Sequence, residues 1–138
     1  MTFRTNAIQI AKNYSKDGLF VSGSIPGKKL SAALTNFPID TTDEIFCLID
    51  TTVFGSCKNG MAFGLKGIYW SNDWTIPSND SFLSWDDLVF FKNQIHTKIM
   101  GDLIVSPGNT ISFSGSNVKN KEAMNLTLQL IESYVTTS

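Results

Sequence analysis

The stretch Asp43–Trp70, DEIFCLIDTTVFGSCKNGMAFGLKGIYW, decides how this chain is read. Ile45, Phe46, Cys47, Leu48 and Ile49 form an unbroken apolar run of strand length, bounded by Asp43–Glu44 before and Asp50 after. Such a run suits a strand covered on both faces or a short buried helical segment. Its shortness and its β-branched and aromatic residues favour the strand. Thr51, Thr52 and Val53 can extend it. Gly55 and Ser56 then give a permissive loop, and Asn59–Gly60 is a turn signal. Met61 and Phe63 alternate with Ala62 and Gly64, which fits a half-buried strand. Lys66–Gly67 marks the next turn. Beyond it, Ile68 and Trp70 share one strand face and Tyr69 takes the other.

Composition narrows the function classes. A length of 138 residues suits one domain with a full core. The net charge is -1, so no global field recruits nucleic acid or an acidic membrane. Arg4 is the only arginine, which removes bidentate phosphate recognition by an arginine cluster. No apolar run is long enough to span a bilayer. The start, MTFRTNAIQIAKNYSKDG, lacks the apolar core and cleavage site of a signal peptide. The two cysteines, Cys47 and Cys57, make no disulfide framework. These features point to a reducing cytoplasm.

Outside the central stretch, helical and strand patterns alternate with clear breaks. Thr5–Tyr14 carries Ala7, Ile8, Ala11 and Tyr14 on one helical face, and Asp17–Gly18 stops it. Leu19–Val21 has the pattern of a short strand. A second helix opens after Ser24-Ile25-Pro26-Gly27. Leu30, Ala33, Leu34 and Phe37 are spaced for one face, and Pro38 ends the run. Residues Asp43 to Gly115 read as consecutive short strands, among them Phe82–Trp85, Ile95–Met100, Leu103–Val105 and Thr110–Phe113. A last helix is expected from Asn117 to Tyr134. Its apolar residues cover roughly half of the helix circumference, so both a sheet and the N-terminal helices can cover it.

The order Asp50-Thr51-Thr52-Val53-Phe54-Gly55-Ser56, Asn59-Gly60, Lys66-Gly67-Ile68-Tyr69, Ser84-Trp85-Asp86-Asp87-Leu88 resembles bacterial pleckstrin-homology-like domains. The likeness runs from about residue 24 to 135 and takes in Ile25-Pro26-Gly27-Lys28-Lys29-Leu30. It implies an α+β fold: a strongly bent antiparallel sheet or barrel in residues 41–138, capped by a C-terminal helix. Residues 1–40 then form a helical extension of the same single domain. Eukaryotic relatives that bind phosphoinositides use several Lys/Arg in and beside the first hairpin. Here the matching stretch offers only Lys58 and Lys66, which counts against an inositol phosphate site.

Candidate chemistry is sparse. Cys57 in a Gly/Ser loop and His96, the only histidine, would make a nucleophile pair if they met, but no third orienting group is suggested. Neither the cysteine spacing nor one histidine completes a metal site. Asp86–Asp87 read as the cap of a short helix after Trp85, and Asp50 as the anchor of the small-residue loop through backbone or threonine hydrogen bonds. Gly55-Ser56-Cys57-Lys58-Asn59-Gly60 lacks the order of a phosphate-binding loop. Catalytic, metal and cofactor sites are therefore not expected.

The tryptophans are the stronger binding candidates, because aromatics dominate interface hot spots. Trp85 reads as core. The expected surface is the polar loop Ser71–Asp80, centred on Trp74, beside Trp70, Lys58 and the hairpin tip at Lys66. Asp73 and Asp80 oppose approach of that loop to anionic lipid. The function expected is non-enzymatic binding of a protein or peptide by a regulatory or adaptor module. Self-association through helix faces or sheet edges is a further option. Lipid-headgroup or membrane-surface binding and a small Cys/His enzyme are the alternatives.

Overall fold

The computed structural model describes residues 2–73, 75–76 and 78–137. In chain order the elements are α1 (Phe3–Lys12), β1 (Leu19–Val21), α2 (Gly27–Asn36), β2 (Ile45–Asp50), β3 (Gly60–Gly64), β4 (Gly67–Ser71), β5 (Phe82–Ser84), α3 (Trp85–Phe91), β6 (His96–Thr97), β7 (Asp102–Ser106), β8 (Asn109–Ser112) and α4 (Asn120–Thr137). A short 3-10 turn, Lys92–Gln94, follows α3. The chain is α+β. Strands β1 to β5 form one antiparallel meander and β6 to β8 a second antiparallel sheet. The two sheets are separate and do not form the closed barrel included among the expectations.

The larger sheet is covered on both faces, which is why β2 reads as a continuous apolar run. Leu19, Val21, Cys47, Ile49, Met61, Phe63, Ile68 and Trp70 face the main core. Ala7 and Ala11 of α1, Leu103, Val105 and Ile111 of the second sheet, and Leu126, Leu130 and Ile131 of α4 complete it. The register shifts between Ile45 and Cys47, a bulge that lets Phe46 join the same core as Cys47. On the opposite face Leu48, Ala62 and Tyr69 pack under α2 against Ala33 and Phe37. The alternation expected for Ile68, Tyr69 and Trp70 is the one seen.

Residues 1–40 are more than a helical extension. β1 pairs with β2 in the register Leu19↔Ile49, Phe20↔Leu48 and Val21↔Cys47, and α1 lies in the main core. The C-terminal helix is covered on two sides, by α1 and by the second sheet.

Two local expectations are corrected. Asn59–Gly60 is not a hairpin turn: Gly60 pairs with Asp50 at the start of β3, and residues 51–59 form the loop between the strands. A side chain at Gly60 would place Cβ 2.1 Å from the Ile49 carbonyl oxygen, so only glycine fits there. Ile95–Met100 is mostly not strand. Only His96 and Thr97 pair with β7, because Gly101, at φ 97°, closes a turn by donating its N–H to the Lys98 carbonyl at 3.1 Å. The short helix expected at Trp85 is α3, which a capping box opens: Asp87 N–H donates to Ser84 Oγ and Ser84 N–H donates back to the Asp87 carboxylate.

A side chain joins the two sheets where β4 ends. Asn72 Nδ2 donates to the Thr110 carbonyl at 2.6 Å, and Ser112 N–H donates to Asn72 Oδ1 at 3.0 Å. The amide thus serves the edge of β8 as a neighbouring strand would. Asn109, buried at 3 % exposure, receives the Asp80 N–H at 2.7 Å and donates to Ser106 Oγ at 2.7 Å. These bonds tie Asn72 and Asp80 to the second sheet.

Candidate functional site

The best-defined polar cluster sits at the root of the β2–β3 loop. β2 ends at Asp50, which is 5 % exposed. Its Oδ1 accepts the Thr52 N–H at 2.9 Å and the Thr52 hydroxyl. This is the loop-anchoring role expected of Asp50. Its other oxygen, Oδ2, receives Lys29 Nζ from α2 at 2.6 Å. Lys29 also donates to the Gly55 carbonyl at 2.8 Å and lies 5.4 Å from the centre of the Phe20 ring. One ammonium group therefore holds both ends of the segment Asp50–Gly55. Burial acts to raise the Asp50 carboxyl. The hydrogen bonds from Lys29 and Thr52 oppose this and leave it below the ordinary carboxylate range.

Cys57 completes the clamp. It has φ 54°, a left-handed conformation that costs a residue with a side chain about 1–2 kcal/mol. Its N–H donates to Thr52 Oγ1 at 3.2 Å, and its side chain is buried among Ala33, Phe37 and Leu48. Such strain persists where the surroundings over-determine it, often at ligand sites. The tip of the loop is the opposite case. Phe54 is 98 % exposed and Val53 75 % exposed. The apolar pair stands as a ridge between two small clefts. One holds Asn59, Asn72 and Ser114, and the other Asp17, Phe20 and Lys29.

The other expected site residues are dispersed. Trp70 is 1 % exposed in the main core and donates from Nε1 to Ser78 Oγ at 3.2 Å, so its ring is structural and not a contact surface. The alternation of β4 carries this correction, since Trp70 shares the inward face with Ile68. Lys66 is held at the β3–β4 turn by Asp40, 3.0 Å from its Nζ, and by the Thr42 hydroxyl. Lys58 is exposed on the clamped loop. Trp74 lies outside the described residues. Trp85 is core, as read, and donates from Nε1 to the Gly64 carbonyl at 2.9 Å.

Cys57 and His96 are not brought together. The thiol is under α2, while His96 is exposed on β6 with Nδ1 2.8 Å from the Gln94 carbonyl. Among the described residues no group of three or more His, Cys, Asp or Glu could hold a metal. Asp87 caps α3, and Asp86 accepts the Tyr134 hydroxyl at 2.8 Å.

A Gly/Ser loop reads as exposed, yet Cys57 within it is fully buried, as is Cys47. Burial, and then the negative charge of Asp50, push the Cys57 thiol up to about 12. Burial alone drives the Cys47 thiol above the ordinary thiol range. Both should react with a disulfide reagent at neutral pH only as fast as the protein opens. A stopped-flow trace compared with that of the denatured chain checks this. A native Cys57 modified at the denatured rate would contradict the burial.

Sequence pattern does not single out Lys29. The signal available was the buried acid at the end of β2, which demands a cationic or multiply donating partner. Nothing in residue spacing points from Asp50 to a lysine on another element. No protein-family model matches the chain, and neither a curated protein nor a solved structure matches it.

Proposed function

We propose that this chain is a non-enzymatic binding module that captures a protein or peptide partner through the Val53–Phe54 loop. The exposure of Phe54 on a fixed loop carries the reading. A phenylalanine held fully in water contributes nothing to the fold, and the Lys29–Asp50–Thr52 clamp removes the loop freedom that association would otherwise have to quench. Rigid aromatic anchors of this kind dominate interface energetics. The clefts on either side supply amide, hydroxyl and carboxylate groups for a polar rim. Two antiparallel sheets followed by a capping C-terminal helix support a pleckstrin-homology-like reading of the fold. The raised Cys57 thiol and its separation from His96 speak against the small-enzyme alternative.

The test is affinity selection of peptides from a random display library on the purified domain, repeated on Phe54→Ala. Truncation of a hot spot costs about 2 kcal/mol or more, roughly thirtyfold in affinity. The melting temperature should stay unchanged, because the ring has no packing to lose. Peptides bound equally by both proteins would remove the loop from the interface. A large fall in melting temperature would make Phe54 structural and end this reading.

A further inference from the structure

A second apolar tip stands on the β6–β7 turn. Ile99 is 101 % exposed and Met100 80 % exposed. The turn is fixed at its base. Lys98 N–H donates to the Asp102 carbonyl at 2.9 Å, Phe113 N–H donates to the Gly101 carbonyl at 2.9 Å, and Asn120 Nδ2 donates to the Lys98 and Asp102 carbonyls. Beside Ile99 lies a cleft of about 460 Å³ lined by Thr97, Lys98, Ile99, Asn120 and Lys121, with no acid among them. Two acids, Asp102 and Glu122, neighbour these lysines in sequence. Asp102 is half-buried, and the Glu122 carboxylate is held by Lys16 at 3.1 Å and by the Lys119 N–H at 3.0 Å.

We propose that the Ile99–Met100 turn seats this protein on an anionic lipid bilayer, with Ile99 and Met100 entering the interfacial layer and Lys98 and Lys121 meeting the lipid phosphates. Both apolar side chains of the tip are exposed to solvent, so it suits a soft apolar layer. The lysines beside it have the sign that an anionic leaflet attracts. Burial of the apolar tip and attraction of the two lysines to anionic lipid then act together. The net charge of -1 keeps the rest of the surface from adding to the attraction, so binding should depend on anionic lipid and on salt.

The turn is separate from the Val53–Phe54 loop but close to it. Gly101 lies against the backbone of Ser114, and Ser114 lines the cleft that also holds Val53 and Phe54. A partner captured by that loop would sit next to the lipid surface. Membrane seating does not require the partner reading to hold.

The experiment is vesicle co-sedimentation of the full chain without any partner. The probes are phosphatidylcholine vesicles with and without about a third phosphatidylglycerol, at low and near-physiological salt. Wild type should pellet with the anionic vesicles, far less with neutral ones, and less as salt rises. Ile99→Asp/Met100→Asp should abolish binding with an unchanged melting curve. Lys98→Ala and Lys121→Ala should each weaken it about fivefold. Phe54→Ala should bind vesicles within a few-fold of wild type, which separates this inference from the loop reading. Wild type that ignores anionic vesicles at low salt would overturn the proposal. So would equal binding to neutral vesicles, or an unaffected Ile99→Asp/Met100→Asp protein. Binding to a soluble glutamate-rich peptide, with none to vesicles, would assign the turn to a protein partner instead.

Discussion

A chain ending at Gly115 should fail to fold. It should show no cooperative melting transition and no dispersed amide spectrum. Such a cut removes Val118 and the whole of α4, whose Leu126, Leu130 and Ile131 are fully buried in the main core. Each large apolar side chain contributes about 1.5–3 kcal/mol on burial, so these three supply roughly 5–9 kcal/mol. A whole domain is stable by only about 5–15 kcal/mol. The loss also strips cover from α1 and β7, and it removes Tyr134, whose ring packs against Phe3 and Trp85. The polar contacts of α4 go with it, including Lys16 to Glu122 at 3.1 Å, though an exposed pair of this kind adds little. A truncated form that stayed monomeric and melted cooperatively would mean that the sheets have a self-sufficient core without α4.

Much of this architecture could be read from local pattern, for physical reasons. In β3 and β4 the side chains alternate between two covered faces, so Met61, Phe63, Ile68 and Trp70 announce their direction by spacing. Asp50 announces itself as an anchor because a small-residue loop follows it at once. What pattern does not carry is contact between distant elements. Lys29 lies on α2, 21 residues before the acid it neutralises, and looks in sequence like any solvated helix lysine. Cys57 sits among Gly55, Ser56, Lys58 and Asn59, which mark an exposed loop, yet its side chain turns inward. The left-handed backbone that aims it there is almost silent in sequence, because cysteine has no special preference for it. Phe54 and Ile99 fail in the opposite direction. Apolar residues beside strands are ordinarily buried, and only tertiary structure reveals that these are not.

Replacing Lys29 by methionine should destabilise the protein by about 3 kcal/mol at neutral pH and reverse the pH response of the clamp. Removing one member of a buried ion pair costs about 3–5 kcal/mol. The low end applies because the Lys29 side chain keeps 22 % exposure, whereas that of Asp50 keeps 3 %. For a chain of this size the melting temperature should fall by roughly 10 °C. In the wild type the Asp50 carboxyl is held below its unfolded value. Its contribution is complete above about pH 4 and is lost as pH falls through the folded pKa. Asp40, held down to about 2 by the Thr42 backbone N–H, the Thr42 hydroxyl and Lys66, adds to the same acid sensitivity. Without Lys29, burial of Asp50 is opposed only by the Thr52 bonds and its carboxyl moves upward. The ionised form then weakens the fold, so the deficit relative to wild type should be largest at neutral pH and shrink on acidification. The double variant Lys29→Met/Asp50→Asn keeps an acceptor for Thr52 and removes the stranded charge. It should melt higher than Lys29→Met at pH 7 and show no such pH dependence. Melting curves of the three proteins between about pH 3 and 8 read out both effects, across the range where a carboxyl titrates. A Lys29→Met protein that lost stability in parallel with wild type on acidification would show that Lys29 does not control the charge of Asp50. The loop carrying Phe54 would then owe its fixed shape to Thr52 and Cys57 alone.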